Sequence, residues 1–204
     1  METERSGDPG EAPAGDLKQA AVVLIVYEQD GEPYLLLTRR TERVADHKGQ
    51  ICFPGGSLDL EDKSAVSAAL REAEEELGVD PRSLRLVAGL EPVYTVVTRY
   101  VIEPFVAYSP RRPELRPDSF EVAEVIDVRV AALLDPTARR VETWDTHGAP
   151  REVYFYQYGS HVIWGATARI LSQFLESYTP EWWQAVVSGK ADYRPPAGLP
   201  PVPV

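Results

Sequence analysis

The sequence is poor in the features that mark secreted, membrane or nucleic-acid-binding chains. Its 204 residues include one cysteine, Cys52. That excludes an intramolecular disulfide and any cysteine-rich zinc centre. A lone thiol fits a reducing compartment, so a cytoplasmic location is expected. Basic charge is scarce: 21 lysines and arginines face 32 acidic residues, for a formal net charge of -11. Such a surface argues against a general nucleic-acid binder and against docking on anionic membranes. It leaves room for a local basic pocket around a phosphorylated ligand. Long apolar runs are also missing. The longest, Ala20 to Tyr27, falls far short of the ~18 residues that a membrane span needs. Residues 1–15 are polar and acidic, unlike a secretory leader.

Residues 1–17 are rich in Glu, Gly, Pro and Ala without an apolar period, and read as a disordered tail. Residues 191–204 read as a Pro-rich extended tail, more in keeping with a solvated end than with a partner-binding segment. A single domain over 18–190 is expected between them. Within it, Ala21–Tyr27 and Tyr34–Thr38 read as strands of a hairpin. Ile51–Phe53 reads as a short strand stopped by Pro54-Gly55-Gly56. Ser64–Leu77 reads as a helix, with Asp62 or Ser64 as its cap and Gly78 as its stop. Further strand-like runs are Leu84–Val97, Val101–Tyr108 and Val122–Val128. A second hairpin joins Arg140–Asp145 to Glu152–Tyr158. Trp164–Tyr178 has helical spacing, and Pro180 opens a terminal helix. With no regular strand–helix alternation, the fold class is α+β, a mixed sheet between helices.

The stretch Arg71-Glu72-Ala73-Glu74-Glu75-Glu76-Leu77-Gly78-Val79 carries the most information. At about 100° per residue, Glu72, Glu75 and Glu76 share one edge of the helix. Glu74 points away, and Val66, Leu70, Ala73 and Leu77 form the core-facing arc. Crowding like charges near a helix C-terminus is unfavourable. Only Arg71 opposes it locally. A solvated acidic face is one reading. The other is a site for a hard divalent cation, Mg²⁺ or Mn²⁺, since all donors are oxygens. The preceding Phe53-Pro54-Gly55-Gly56 favours the second, because paired glycines permit close approach of a ligand. A Gly56 carbonyl could join the carboxylates. Such a set suits phosphoanhydride chemistry.

These residues resemble the Nudix hydrolases, whose pattern is G-x5-E-x7-R-E-U-x-E-E-x-G-U, with U a bulky aliphatic residue. Arg71, Glu72, Glu75, Glu76, Gly78 and Val79 match its second half, with Ala73 a small U. In the first half Lys63 stands where the family has Glu, and Ser57 stands where it has Gly. Gly56 is one residue off, and Glu61 or Asp62 flanks the missing acid. Leu36-Leu37-Thr38-Arg39-Arg40-Thr41 and His47-Lys48-Gly49-Gln50-Ile51-Cys52-Phe53-Pro54-Gly55-Gly56 resemble the upstream signature of the coenzyme A pyrophosphatase branch. Ala45 stands where that signature has arginine. Glu121–Val125 and Ile163–Ala168 are similar to later segments of that branch.

The resemblance implies a Nudix-type α/β/α sandwich with a mixed β-sheet. It implies metal-dependent cleavage of the diphosphate in coenzyme A or acyl-CoA, to 4'-phosphopantetheine and adenosine 3',5'-bisphosphate. The alternatives are another nucleoside diphosphate derivative (ADP-ribose, NADH, a dinucleoside polyphosphate) or a nucleotide-binding module without hydrolysis. Metal candidates are Gly56, Glu72, Glu75 and Glu76. Arg71 reads as a residue that orients Glu75 or a neighbour. The general base stays open among Glu72, Glu75, Glu121 and Glu124. Arg39, Arg40, Arg43 and Lys48 form a basic stretch suited to phosphate; His47 is a further candidate for substrate contact. Trp164 reads as core. Trp182 and Trp183 are candidates for packing the terminal helix or for a homodimer contact.

Overall fold

The structure, a computed structural model, describes residues 17–44, 46–95, 98–146 and 149–191. The expected tails therefore lie outside the described residues, except for Leu17 and Ala191. In chain order the elements are β1 (Lys18–Gln29), β2 (Glu32–Arg40), β3 (Ile51–Cys52), β4 (Gly55–Ser57), α1 (Ala65–Leu77), β5 (Arg85–Gly89), β6 (Val93–Tyr94), β7 (Tyr100–Ser109) and β8 (Val122–Arg129). They continue with α2 (Val130–Leu133), β9 (Arg139–Thr146), β10 (Ala149–Tyr158), β11 (His161–Trp164), α3 (Gly165–Ser177) and α4 (Pro180–Val187).

The run Ala20 to Tyr27 lacks polar interruption because both of its faces are covered. Alternate side chains of a strand point to opposite faces. Ala21, Val23, Ile25 and Tyr27 pack with Val66, Ala69, Ala73 and Leu77 of α1. Leu24 and Val26 pack on the other side, in the cluster that holds Leu171 and Phe174 of α3 and Trp183 of α4. The sheet thus lies between helices, which is the expected sandwich. Truncating a fully buried residue such as Leu24 to Ala would cost about 2–5 kcal/mol.

The sheet is mixed. β1 runs parallel to β7 along its length and antiparallel to β2. β5 and β6 pair with β7, and β8 pairs with the far edge of β2. Asp30 and Gly31 turn the β1–β2 hairpin with φ of 53° and 78°. Two positive-φ residues match the twist of a tight hairpin, so both strands run longer than their apolar centres predict. The two strands pair only near this turn, Val26–Gln29 against Glu32–Leu35. Beyond it they part, and residues 51–57 fill the wedge. β3 pairs with Thr38 and Arg39, and β4 pairs with Ala20–Val22. Pro54-Gly55-Gly56 is therefore not a stop, as the sequence reading has it, but leads into a strand.

β9, β10 and β11 form a second, antiparallel sheet. Tyr154, Tyr156 and Ile163 bury its inner face. Its outer face carries Trp144, Phe155 and Trp164. Trp164 is 40% exposed, which corrects the expectation that it is core. It ends β11, a strand hidden in the sequence by the helical period that begins beside it. Trp183 packs edge-on against Tyr108 inside the molecule. Among the described residues no helix is long and apolar enough to cross a membrane.

Candidate active site

Local rules fix where the carboxylates sit. Ser64 caps α1: its Oγ accepts the Ser67 amide at 3.2 Å, and Ser67 Oγ accepts the Ser64 amide at 2.9 Å. Gly78 closes the helix with a φ of 67°, a shape that favours glycine. Between these caps the apolar arc faces β1. That turns Glu72, Glu75 and Glu76 along one edge, with Glu76 buried, Glu72 half-buried and Glu75, like Glu74, exposed.

Arg71 organises this edge. Its Nη1 lies 3.0 Å from both Glu72 Oε1 and Glu75 Oε2. Nε and Nη2 donate to the two oxygens of Asp62 at 3.2 and 3.0 Å, and Nη2 also reaches the Ser57 carbonyl at 3.3 Å. Hydrogen bonding to Arg71 holds the Asp62 carboxyl below its usual range. The displaced first half of the box is thereby explained. Gly56 and Asp62 keep the five-residue spacing, and one additional residue precedes the helix. Asp62, not Lys63, is the acid that faces Arg71.

Glu76 is 3% exposed. Its Oε1 accepts from Arg40 Nη1 at 3.3 Å, and its Oε2 from the Gly55 amide at 3.4 Å. Burial pushes its carboxyl up to about 8, with Arg40 opposing. Burial also raises Glu72, with Arg71 opposing. Gly56 lies against Glu72: a Cβ there would come within 2.6 Å of the Glu72 carboxylate carbon.

As the side chains stand, no three Asp, Glu, His or Cys groups converge to ligand distance among the described residues. Arginines hold the carboxylates instead. The donor set nevertheless fits a hard cation. It is all oxygen, it includes a buried carboxylate with only long contacts, and the missing side chain of Gly56 lets the Glu72 carboxylate come close to the backbone there. A divalent ion would favour the ionised carboxylates that burial disfavours.

The other sequence candidates divide. Glu121 lies near enough to Glu72 and Glu76 for its charge to raise both, behind the larger effect of their burial. Its carbonyl accepts the Thr41 amide at 2.9 Å. Glu124 shares the opposite sheet face with Ile126 and Val128. It pairs there with Arg39 at 2.9 Å and with His161 at 3.5 Å. Arg40, next to Arg39, points to the α1 side by strand alternation. His47 and Lys48 lie on the exposed loop after β2, where His47 Nδ1 is 2.9 Å from Gln50 Oε1. Cys52 is half-buried, 3.3 Å from Thr38 Oγ1. Burial pushes its thiol up to about 11, which favours the protonated form at neutral pH. Sequence reasoning missed the Arg40–Glu76 pair. The signal available was an arginine at a position whose alternate neighbours, Leu36 and Thr38, point toward α1.

Residues 17–148 match the profile of the NUDIX domain. The chain belongs to the Nudix family. It is 35% identical over 161 residues to an uncharacterized Nudix hydrolase, NudL, of Photorhabdus laumondii, covering 79% of this chain and 86% of that one. It is also 35% identical over 160 residues to Nudix hydrolase 22, chloroplastic, of Arabidopsis thaliana, covering 76% of this chain and 53% of that protein. Among solved structures, a MutT/nudix family protein from Enterococcus faecalis superposes with a TM-score of 0.52 at 14% identity. That match covers 86% of this chain and 70% of the other, and shows the shared fold. Nudix hydrolases cleave nucleoside diphosphate derivatives and generally use divalent ions such as Mg²⁺ or Mn²⁺.

Proposed function

We propose that this Nudix hydrolase cleaves the diphosphate of coenzyme A or acyl-CoA in the cytoplasm. The products are 4'-phosphopantetheine, or its acyl form, and adenosine 3',5'-bisphosphate. One observation carries the reading. The wedge of residues 51–57 brings the end of the upstream signature onto the box helix, with Gly55 on Glu76 and Gly56 on Glu72. The segment that resembles the coenzyme A branch and the segment that resembles the Nudix box therefore meet in one place.

Glu72, Glu75 and Glu76 would hold Mg²⁺ or Mn²⁺, with the Gly56 carbonyl as a further donor. When bound, the ion supplies an acidified water and offsets charge on the phosphate oxygens. Water oxygen bonds to phosphorus, the bridging P–O bond breaks, and the departing phosphate keeps that electron pair. The proton lost by water passes to a carboxylate, and of the four candidates Glu121, within electrostatic reach of Glu72 and Glu76, is our choice of base. Arg71 positions Glu72 and Glu75. Lys48 and His47, on their exposed loop, are available to the phosphates of the substrate, and Arg40 lies beside Glu76. Arg39 pairs with Glu124 on the other face, and Glu124 in turn reaches His161 of the second sheet.

The test is a panel of coenzyme A, acyl-CoAs, ADP-ribose, NADH and dinucleoside polyphosphates, with products identified by mass spectrometry in ¹⁸O-water. Adenosine 3',5'-bisphosphate and phosphopantetheine as the dominant products, one carrying ¹⁸O, are expected. Faster turnover of ADP-ribose would remove the substrate assignment. Nucleotide binding with no cleavage of any compound would remove catalysis.

A further inference from the structure

We propose that Arg40 is a positioning residue that stands in for the cation at Glu76, and that it passes to a phosphate oxygen when a divalent ion arrives. Metal and diphosphate then bind cooperatively. The inference rests on the metal-dependent reading above.

The two arginines of the site differ in how completely they are used. Arg71 spends its Nε, Nη1 and Nη2 on Asp62, Glu72, Glu75 and the Ser57 carbonyl. It is committed to the acidic edge. Arg40 makes one contact to an acid, at 3.3 Å, and its Nε is buried without a hydrogen-bond partner. Its side chain is 23% exposed, so it touches both the interior and solvent.

Glu76 is equally incomplete. Its two partners sit at 3.3 and 3.4 Å, both long for a carboxylate almost removed from water. A buried ion pair is favourable only when its geometry is good and its remaining donors and acceptors are satisfied. Neither condition holds here. Near Arg40 and Glu76, the uncharged Thr38 and Cys52 sit 3.3 Å from each other and can replace neither partner; Glu72 and Glu121 act on Glu76 as like charges, and among the described residues Arg40 forms an ion pair with Glu76 and with neither of them. What completes Glu76 is a cation. What completes Arg40 is an anionic oxygen with room for a forked contact. Adjacent occupancy by a divalent ion and a diphosphate supplies both.

Linkage sets the consequence. A cation binding alone must first part Glu76 from Arg40, and a diphosphate binding alone must do the same. Whichever binds second finds the pair already parted, so each raises the affinity of the other by one and the same factor.

The experiment is calorimetric titration of the full chain with Mn²⁺, with and without methylene diphosphonate, a diphosphate that cannot be cleaved. Free Mn²⁺ is buffered against chelation by the analogue. The wild type should bind Mn²⁺ more tightly with the analogue present, by a factor between about 5 and 150. In Arg40→Gln, Mn²⁺ alone should bind at least about fivefold more tightly, and the enhancement by the analogue should shrink by at least about fivefold. Arg40→Lys keeps the charge but loses the fork, so it should fall between. Thermal melting establishes that each variant is folded. If Arg40→Gln does not fold, Arg40→Lys decides by the same two readouts. Unchanged Mn²⁺ affinity overturns the proposal. Tighter Mn²⁺ with full enhancement retained also overturns it, because Arg40 is then only background charge. A wild type that binds no Mn²⁺ overturns both this proposal and the metal-dependent reading. A wild type that binds Mn²⁺, with a variant that behaves like it, overturns this proposal alone.

Discussion

Gly55 and Gly56 are neighbours in sequence, yet replacing them with alanine should damage different things. At Gly56 a Cβ would lie 2.6 Å from Cδ and Oε1 of Glu72 and 2.8 Å from Oε2. The obstacle is the end of a side chain, which can yield. Restoring an ordinary separation of about 3.5–4.0 Å moves the carboxylate by about 1 Å. That loosens its 3.0 Å contact with Arg71, at a stability cost of about 0–1 kcal/mol. The melting temperature should fall by no more than about 4 °C. Turnover should suffer far more, because a displacement of about 1 Å at a reacting centre can cost on the order of 100-fold. At Gly55 the obstacle is backbone. The Cβ would press into the Ala21 carbonyl oxygen and lie 2.6 Å from Val22 Cα, at a φ of 149°. Strain and overpacking together amount to roughly 2–6 kcal/mol. The assays are differential scanning calorimetry, Mn²⁺ affinity and turnover on the best substrate of the panel. Wild-type turnover in Gly56→Ala would refute the placement of Glu72 in the site. Equal losses of melting temperature in the two variants would refute the distinction between side-chain and backbone obstruction.

Glu121→Gln should lower turnover by roughly 10²–10⁴-fold, the range of a general base. Glu124→Gln, on the far face, should leave it within about threefold; the reverse order in steady-state kinetics would exchange the two assignments. Arg71 holds the Asp62 carboxyl below its unfolded pKa of about 3.9, so the pair stabilises above that pH and the benefit is lost as pH falls through the lower, folded value. The melting temperature of Asp62→Asn should therefore lie below wild type at neutral pH, with the gap closing in acid; a gap that widens in acid would contradict the ion pair. Arg85 donates to the carbonyls of Val186 and Ala191 and lies over the Tyr108 ring at 5.3 Å. Arg85→Met should cost about 1–3 kcal/mol and speed amide exchange in α4; unchanged exchange there would show that α4 docks through its apolar face alone.

Much of this was written in local sequence. The unbroken apolar run of β1 demanded cover on both faces, and α1 and α3 supply it. Ser64 and Gly78 bound a helix whose acidic edge follows from its apolar arc. The losses came where tertiary contact overrules local signal. Gly55-Gly56 looks like punctuation, but the missing side chain of Gly55 lets β4 approach β1 and that of Gly56 lets it approach Glu72. His161–Trp164 is too short to show a strand period before a helical one begins. Glu121 and Glu124 are three residues apart, and only the strand direction beyond Val122 separates the face of one from the face of the other. Arg40 meets Glu76 across 36 residues of chain, a distance that no window of local pattern spans.

The wedge formed by residues 51–57 has an evolutionary consequence. Its backbone is stitched to both parting strands, so the Gly55 amide at Glu76 and the close approach of Gly56 to Glu72 change only if the central sheet opens. His47 and Lys48 are exposed on the loop after β2, where His47 pairs with Gln50 of the same loop. Substitution there leaves the backbone at Gly55 and Gly56 in place, so this rim can vary while the wedge stays with the core.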